Sequence, residues 1–374
     1  MQNMWSGGAE AAGAGARLVI DLEALCANYR AIAENVAPAR AAAVVKANAY
    51  GLGADRVAPA LARTGCRDFF VAHLSEAVPL RPLLPPDARL YILNGVYPGA
   101  ERACLEAGAI PVLNSPEQVR AWVALGQSVG RPLDAVVQVD SGMSRLGLAP
   151  QDLDALLAEI DFARDLSVVL IMSHLACADE PDHPANQSQL AQFERLARRL
   201  PPAPRSLANS GGSFLAPAFH QDLVRPGISL YGVAPHPGRS SPIRPVVRLE
   251  AKIIQVRAIP AGQGVGYGLT YAPGQSARIA TIGVGYADGW LRHLSNRGAA
   301  YYNGVRLPIA GRVSMDSITL DITALPDGTL KAGDVVELIG PHQPLEAVAR
   351  DAETIPYEIL TSLGRRYARE WLGE

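Results

Sequence analysis

One lysine stands at the end of a short apolar run, in the stretch AAAVVKANAYGLG from Ala41 to Gly53. The pattern predicts a buried strand that ends at Lys46 and a sharp turn at the glycines that follow. Apolar surroundings disfavour the charged ammonium, so they lower the pKa of a lysine and leave a nucleophilic amine. Such an amine can form a Schiff base with an aldehyde. For Lys46 taken alone, a surface lysine at a strand end is the simpler interpretation.

Polar residues also follow four later apolar segments of the chain. They are Gln138, Asp140 and Arg145 in QVDSGMSRLG, His174 in IMSHLACADE, Asn209 and Ser210 in LANSGG, and Arg225 in VRPGI. One polar residue at a strand end is usually a cap or a loop group, but five such strands are harder to explain by local structure alone. The carboxyl ends of the strands of a parallel barrel meet at one face, so these residues are candidates for one catalytic site.

Two of these segments could bind a phosphate. The sequence Asn209-Ser210-Gly211-Gly212 can begin a helix, where free N–H groups and the helix dipole favour an anion. The backbone of Gly227 and Ile228 could supply further donors. The implied ligand carries a phosphate at one end and an aldehyde for Lys46 at the other. Pyridoxal 5′-phosphate has both groups.

The elements that would position these residues alternate between strand-like and helical patterns. The strand candidates are residues 41–45, Phe69–His73, Leu90–Leu93, Ile110–Leu113, Ala135–Asp140, Val168–Ser173, Arg205–Ala208 and Leu223–Leu230. One helix candidate begins at Asp21, and another follows Asn114 with the capping box Ser115-Pro116-Glu117-Gln118. Eight strands with intervening helices predict an α/β fold, a (β/α)8 TIM-like barrel. An open doubly wound sheet is the alternative, because the pattern does not give the strand order.

The pattern changes at Ala234–Pro245, which is rich in proline, glycine and serine and is typical of a linker. Closely spaced strand candidates follow at Val246–Ile259, Ala277–Val284, Ala300–Asn303, Val305–Ala310, Ser317–Ile322 and Val335–Ile339. Few helices fit there, so this part is predicted to be a mostly β domain. The predicted divisions are a flexible tail over residues 1–16, a barrel over 17–240 and a β-rich C-terminal domain over 241–374.

The amino-acid composition and net charge indicate which kind of molecule the protein binds. Of the 374 residues, 49% are hydrophobic and 19% charged, which is typical of a soluble globular protein, and the net charge is −2. We therefore expect a small-molecule partner and neither nucleic acid nor a membrane surface. The four cysteines are far apart without C-x-x-C spacing, so we expect no disulfide framework and no metal site. The first sixteen residues lack the pattern of a secretory signal, which favours a cytoplasmic protein.

Nine segments, in chain order, resemble those of the alanine racemases, pyridoxal-phosphate enzymes with an amino-terminal barrel and a carboxyl-terminal β domain. They are VVKANAYGLG, VDSGMSRLG, SHLACADE, LANSGG, VRPGISLYG, GVGYGLTY, GYADGW, GRVSMD and IPYEILTSLG. Each is modest alone, but nine in the same order cover nearly all of the chain after the tail. The resemblance implies a cytoplasmic enzyme that interconverts L-alanine and D-alanine.

The resemblance also implies two bases, since racemisation removes the α-proton from one face and returns a proton to the other. Lys46 would carry the cofactor and serve as one base. Tyr267 would be the second base and would reach the site from the other subunit of a homodimer with shared active sites. His174 would link Tyr267 to Arg225 by hydrogen bonds. Arg225 would face the pyridine nitrogen and leave it largely unprotonated, because arginine does not readily donate its proton.

The remaining roles implied by the resemblance concern the phosphate, the substrate and the entrance. The phosphate would be held by Tyr50, Ser210, Gly227, Ile228 and Tyr357, with Asn209 beside them. Arg145 would bind the substrate carboxylate with help from the Met315 backbone of the other chain, and Tyr286 and Asp316 would line the entrance.

One position departs from the family. The position before Val139-Asp140 commonly holds a lysine that carries a carbamate and steadies the arginine, and here it is Gln138. A neutral amide can accept a hydrogen bond from Arg145 but brings no charge. A bound anion and another carboxylate are the two compensations left open.

Three other functions compete with an alanine racemase. A broader racemase would also accept serine or other small amino acids. A barrel-type pyridoxal-phosphate decarboxylase usually has an acidic residue where Arg225 stands. A non-catalytic pyridoxal-phosphate carrier lacks the β domain that contains Tyr267 and Met315.

Overall fold

The computed structural model describes residues 12–236 and 238–373. Two compact units can be distinguished: a barrel unit of residues 24–244, and a carboxyl-terminal unit that combines residues 12–23 with residues 245–373. The predicted tail falls outside the described residues for positions 1–11, and strand β1, Ala16–Asp21, begins where the tail was expected to end. Residues 17–23, which were expected in the barrel, instead belong with the carboxyl-terminal unit.

The barrel unit contains eight short parallel strands, the first of which is interrupted at Ala42. They are β2 Arg40–Ala41 with β3 Ala43–Val44, β4 Asp68–Val71, β5 Arg89–Ile92, β6 Ile110–Leu113, β7 Leu133–Gln138, β8 Leu166–Met172, β9 Arg205–Ser206 and β10 Leu223–Val224. Strands β3 to β9 pair in chain order, and β10 pairs in parallel with β2. The amide of Asp222 donates to the Arg205 carbonyl at 3.0 Å, which joins β10 to β9. The sheet therefore closes, which confirms the barrel and shows that the open sheet was wrong.

Helices alternate with these strands. They are α1 Leu22–Val36, α2 Ala54–Arg63, α3 Leu74–Leu80, α4 Glu101–Glu106, α5 Pro116–Ser128, α6 Pro150–Glu159, α7 Phe162–Asp165 and α8 Ala185–Ala197. The two helices expected from sequence are present. The α5 helix begins as its capping sequence predicts, with the Ser115 hydroxyl accepting from the Gln118 amide at 3.4 Å. Leu25 and Ile32 of α1 are completely buried, as the spacing of apolar residues requires.

A buried carboxylate stabilises the amino-terminal end of the barrel, away from the strand ends where catalytic groups are expected. Asp68, the first residue of β4, is 2% exposed and accepts from the Arg40 guanidinium at 2.5 Å and from the Tyr91 hydroxyl at 2.9 Å. Polar groups at this end of a barrel usually contribute to stability. The carboxyl ends of the strands are thus left for the functional groups.

The carboxyl-terminal unit is mostly β, as predicted. Its further strands are β11 Val247–Ile259, β12 Ala277–Ile282, β13 Ala299–Tyr302, β14 Val305–Pro308, β15 Ile318–Asp321, β16 Val335–Ile339 and β17 Ala368–Leu372, and its helices are α9 Leu345–Asp351 and α10 Pro356–Ser362. The strand order is β14-β13-β16-β11-β1-β17, and β12 joins β11 to β15. Asn303 and Gly304 have φ of 48° and 81°, the backbone that a two-residue hairpin between β13 and β14 favours.

Among residues 12–236 and 238–373, no helix combines the length and the apolar character needed to cross a bilayer.

Candidate active site

Lys46 lies two residues beyond the end of β3, after Val45, and begins a left-handed turn at the carboxyl end of the barrel. The four residues Ala47–Tyr50 all have φ of 53° or 54°, and Gly51 continues at 85°. An L-residue in this conformation costs roughly 1–2 kcal/mol, so four in succession need contacts that offset the strain. The Asn48 side chain supplies one of these contacts, because its oxygen accepts from the Ala54 amide at 2.9 Å. The sharp turn expected after Lys46 is confirmed, and its hand is left.

The surroundings of Lys46 favour a neutral amine. Burial lowers the pKa of Lys46 below its ordinary value, the positive charge of Arg145 lowers it further, and the carboxylate of Glu76 acts in the opposite direction. A lower pKa increases the fraction of free amine at neutral pH, which is the nucleophilic form. The sequence expectation for this lysine is therefore matched by the electrostatics of the site.

Arg225 is the most deeply buried cation of the site, with 3% of its surface exposed. Its guanidinium donates to the Ser206 hydroxyl, to the Ser173 carbonyl at 2.6 Å and towards His174 Nδ1 at 3.3 Å. No ion pair joins Arg225 to a carboxylate in the part of the chain that the structure describes. Burial lowers the pKa of Arg225 to about 9, so it keeps its proton at neutral pH but holds it less firmly than an exposed arginine.

His174 is neutral in this environment. Desolvation, together with the positive charges of Arg225, Arg145 and Lys46, lowers the pKa of His174 to about 3. Arginine has no acceptor, so the 3.3 Å contact requires His174 Nδ1 to be unprotonated and leaves the hydrogen on Nε2. His174 thus offers a hydrogen-bond donor at Nε2 while Nδ1 is fixed by Arg225.

The candidate phosphate site is built around Ser210 and Gly227. The Ser210 hydroxyl oxygen accepts from the amides of Gly227 and Ser229 at 2.9 and 3.3 Å. A Cβ at position 227 would lie 2.2 Å from the Tyr50 hydroxyl oxygen, so glycine is required for this approach. The Ser229 hydroxyl is buried and has no hydrogen-bond partner among the described residues. Tyr50, Ser210, Gly227 and the buried Ile228 are therefore brought together at the ends of the last strands.

Asn209 acts locally. Its side-chain oxygen accepts from the Gly212 amide at 3.0 Å, and its side-chain nitrogen donates to the Leu175 carbonyl at 3.3 Å. The helix expected after Asn209 is wrong: the segment Gly212–Phe214 is a single 3₁₀ turn. Two glycines in the first turn and Pro217 shortly after it leave little room for an α-helix.

Arg145 lies on the loop after β7 and is exposed. Asp140 fixes this loop, because one of its carboxylate oxygens accepts from the amides of Gly142, Met143 and Ser144 at 2.9, 3.0 and 3.2 Å. Gln138, the last residue of β7, is 7% exposed. Among the described residues, no side-chain hydrogen bond joins Gln138 to Arg145, so Arg145 is not steadied in this way.

The other candidates lie on the carboxyl-terminal unit. Tyr267 begins a 3₁₀ turn between Gly266 and Gly268, whose φ values are 70° and 73°, and its side chain is 71% exposed. Met315, Tyr286 and Tyr357 are 53%, 42% and 42% exposed. A turn flanked by two glycines with positive φ projects the Tyr267 phenol into solvent in the single chain.

Arg366 is a residue of this unit that the sequence reasoning missed. Its guanidinium donates to both carboxylate oxygens of buried Asp288 at 2.6 and 2.8 Å and to Asp316 at 2.7 Å. Asp288 in turn accepts from the Gly285 amide at 2.9 Å, and the Tyr286 amide donates to the Ser314 carbonyl at 2.9 Å. Arg366 therefore ties the loop of Tyr286 to the loop of Met315 and Asp316. The sequence carried no sign of this, because the partners are 50 and 78 residues away.

The fold and the site define a two-domain protein whose barrel presents a low-pKa lysine, a neutral histidine and a buried arginine beyond its strands. The family models described as "Alanine racemase, N-terminal domain" and "Alanine racemase, C-terminal domain" match residues 20–235 and 246–371. The chain belongs to the alanine racemase family, which confirms the resemblance seen in the sequence.

Individual relatives agree with this assignment. The chain is 56% identical over 372 residues to the alanine racemase of Brucella canis, covering 96% of this chain and 94% of that protein. It is 53% identical over 362 residues to a catabolic alanine racemase of Agrobacterium fabrum, covering 97% and 93%. A crystal structure of alanine racemase from Bartonella henselae with covalently bound pyridoxal phosphate matches with a TM-score of 0.94 and 48% identity, covering 96% of this chain and all of that one.

The low pKa of His174 predicts a specific pH dependence of stability. The pKa is about 3 in the folded protein and about 6.5 in an unfolded chain, so the unfolded state binds one more proton between these values. The contribution of neutral His174 is complete above pH 6.5 and is lost as the pH falls towards 3, by at most about 1.4 kcal/mol per pH unit.

Urea unfolding of the wild type and a His174→Gln variant at pH 7.5, 6 and 5 measures this contribution. We expect the free energy of unfolding of the wild type to fall more steeply than that of the variant below pH 6.5. A difference that stays constant from pH 7.5 to 5 would contradict the neutral histidine.

Proposed function

We propose that this protein is an amino-acid racemase that interconverts L-alanine and D-alanine with pyridoxal 5′-phosphate. The observation that carries the proposal is the amine of Lys46, held in a fixed turn beyond β3 with a pKa below its ordinary value. Its position at the carboxyl end of a barrel strand is where catalytic groups of such folds lie. The family and the Bartonella henselae structure with covalently bound pyridoxal phosphate support the same conclusion.

The residues of the barrel unit fit this cofactor. The Lys46 amine suits an aldehyde, and the cradle of Tyr50, Ser210, Gly227 and Ile228, with the unpartnered Ser229 hydroxyl beside it, suits a phosphate. Arg225 lacks a carboxylate partner among the described residues and so has donor capacity for a ring nitrogen. Tyr357 would add a phenol to the phosphate site, and Asn209 shapes its turn. Pyridoxal phosphate, when bound, withdraws electrons from the α-carbon of an amino acid and so makes the α-proton removable.

Arg225 favours racemisation over related reactions. With a pKa of about 9 it remains protonated at neutral pH and donates a hydrogen bond instead of a proton to an acceptor in front of it. An acidic residue, as barrel-type decarboxylases usually have, would protonate that acceptor and strengthen the electron withdrawal. The decarboxylase alternative is therefore disfavoured by the residue itself.

Two residues supply the acid and base. Lys46 takes or returns the α-proton on one face, and Tyr267 does so on the other, as a residue of the second subunit of a homodimer. The exposure of the Tyr267 phenol in the single chain supports this, because the group is accessible to a partner. His174, with its hydrogen on Nε2, donates towards the Tyr267 oxygen in the assembled site and so stabilises the phenolate form.

Arg145 orients the substrate with help from the Met315 backbone of the second subunit, and Tyr286 and Asp316 form the entrance. The guanidinium of Arg145 pairs with the substrate carboxylate, since its loop is fixed by Asp140 and no Gln138 hydrogen bond occupies it. The Arg366 bridge keeps Met315 and Asp316 in register with Tyr286. A serine side chain adds only one hydroxyl to alanine, so serine is the natural second substrate to examine.

The proposal extends to the kind of partner, the cellular location and the biological role of the protein. A net charge of −2 supports a partner that is a small molecule, with neither nucleic acid nor a membrane surface involved. The proposed location is the cytoplasm, which the four free cysteines support. Both biosynthetic and catabolic use of D-alanine remain within the proposal, because the relatives include proteins named as catabolic.

Racemase activity is tested by following optical rotation. The purified protein with pyridoxal phosphate should bring solutions of L-alanine and D-alanine, each started separately, to zero rotation. Lys46→Ala should lose at least ~10²–10⁴-fold of the rate, which is the usual contribution of a general base. Serine measured in parallel gives the substrate breadth. Decarboxylation would also abolish the rotation, because ethylamine is achiral, so release of carbon dioxide is measured in parallel and its appearance would favour the decarboxylase.

The attachment site of the cofactor is unusually easy to test, because the chain contains only three lysines, Lys46, Lys252 and Lys331. Borohydride should fix pyridoxyl phosphate on the peptide that contains Lys46. Mass spectrometry provides the measurement, and the other two lysines, on the carboxyl-terminal unit, serve as internal controls. Modification of Lys252 or Lys331 instead would overturn the assignment.

Shared active sites are tested by mixing two inactive variants. Lys46→Ala and Tyr267→Phe subunits, exchanged in equal amounts, should recover about a quarter of wild-type activity, because half of the dimers then hold one intact site. Subunit exchange is verified with differently tagged chains. If heterodimers form and no activity returns, Tyr267 does not act across the interface.

A further inference from the structure

Glu76 is a residue outside the candidate site whose side chain reaches the segment of Lys46. It is the third residue of α3 and is partly buried. One carboxylate oxygen accepts from the Ala47 amide at 2.5 Å. The other accepts from the amides of Ala72 and His73 at 2.7 and 3.1 Å. A single carboxylate thus binds three backbone N–H groups that come from two different strand ends.

These contacts connect the segments that follow β3 and β4, beyond the point where backbone hydrogen bonds between the two strands end. Strands β3 and β4 are neighbours, and the Val45 amide donates to the Phe70 carbonyl at 2.8 Å. No backbone hydrogen bond between the two segments follows in the described residues, since β3 gives way to the left-handed turn. The next connection is the Glu76 carboxylate, which joins Ala47 to Ala72 and His73.

The turn needs such a contact. Ala47 is the first of the four residues in left-handed conformation, and a strained segment persists only where its surroundings hold it. Hydrogen bonds to an ionised acceptor are shorter and roughly twice as strong as neutral ones. Asn48 fixes the far end of the turn at Ala54, whereas Glu76 fixes its beginning, next to the lysine.

We propose that Glu76 is a positioning residue for Lys46, because its carboxylate fastens the left-handed turn to the end of β4 and so determines where the amine lies. The inference deepens the proposed function and rests on it, since the position of this amine matters when Lys46 is the base. Glu76 does not touch the reacting atoms. Its negative charge acts on Lys46 against Arg145, which adds an electrostatic effect to the mechanical one.

Hydrogen exchange measures the mechanical role in the protein without substrate. The peptide that contains residues 46–53 should exchange roughly tenfold faster or more in Glu76→Ala, since a hydrogen bond to a charged group is lost. Glu76→Gln should restore part of the protection, because its amide oxygen can still accept from Ala47. Glu101→Ala is the matched control: Glu101 also accepts from a backbone amide at a helix start, that of Gly99 at 2.9 Å, and should leave residues 46–53 unchanged.

Competitive labelling of the full chain freed of pyridoxal phosphate, with a limiting amine reagent across pH, measures the effect on the Lys46 amine itself. Exposed Lys331 is the reference within each molecule. Glu76→Gln should shift the Lys46 labelling curve to lower pH relative to Lys331, because the turn is kept and the negative charge is removed. Glu101→Ala should leave the curve in place.

The outcomes separate the two proposals. Unchanged exchange of residues 46–53 in Glu76→Ala would overturn the positioning role and leave the racemase proposal intact. A different result would be faster exchange in Glu76→Ala and a shifted Lys46 curve in Glu76→Gln, together with a wild-type protein that does not racemise alanine. That result would overturn the proposed function, while the role of Glu76 in holding Lys46 would stand. In the active enzyme, Glu76→Ala should lower kcat more than it changes KM.

Discussion

The site depends on burial together with a concentration of positive charge at the carboxyl end of the barrel. Burial is the largest cause of the lowered pKa of both His174 and Lys46; the charges of Arg225, Arg145 and Lys46 lower the pKa of His174 further, and the charge of Arg145 lowers that of Lys46 further. Because charges in a partly buried site are weakly screened, the groups that can lose a proton do so, and Lys46 and His174 are driven towards neutrality. The arginines remain charged. One arrangement therefore raises the fraction of free amine at Lys46, keeps His174 a neutral donor and attracts anions such as a phosphate and a carboxylate.

This arrangement requires a rigid backbone, and the chain provides it next to the first and the last strand of the barrel. Next to β3, Glu76 and Asn48 hold the left-handed turn after Lys46. Next to β10, Ser210 holds the amide of Gly227, where any side chain would collide with Tyr50. Since β3 and β10 lie close together in the closed barrel, Lys46 and the Ser210–Gly227 contact lie on neighbouring strands. In the proposed function, a ligand with an aldehyde at one end and a phosphate at the other would be held by elements far apart in sequence.

The barrel and the β domain were predictable because their strands and turns are local patterns of apolar residues and of proline and glycine. The polar residues at the strand ends were predictable for the same reason. The hand of the turn at Ala47–Tyr50 was not, since none of its residues is glycine and the strain is offset by distant Glu76. Strand β1 was also missed as part of the other unit, because it pairs with β11 and β17, more than 200 residues later. The local sequence of a short strand does not indicate which distant strands it pairs with.

The neutral side chain of Gln138 changes the balance of charge around Arg145. A carbamate at this position would place a negative charge beside Arg145, and the buried amide removes that charge without a hydrogen bond to the arginine in its place. Arg145 then retains its full donor capacity, and its loop is fixed instead by Asp140, whose carboxylate binds three backbone amides. The loop is therefore ordered by its own backbone contacts. If Arg145 binds the substrate carboxylate as proposed, bidentate pairing would fix the direction of its guanidinium. On that proposal, the anion that orients Arg145 is the substrate itself.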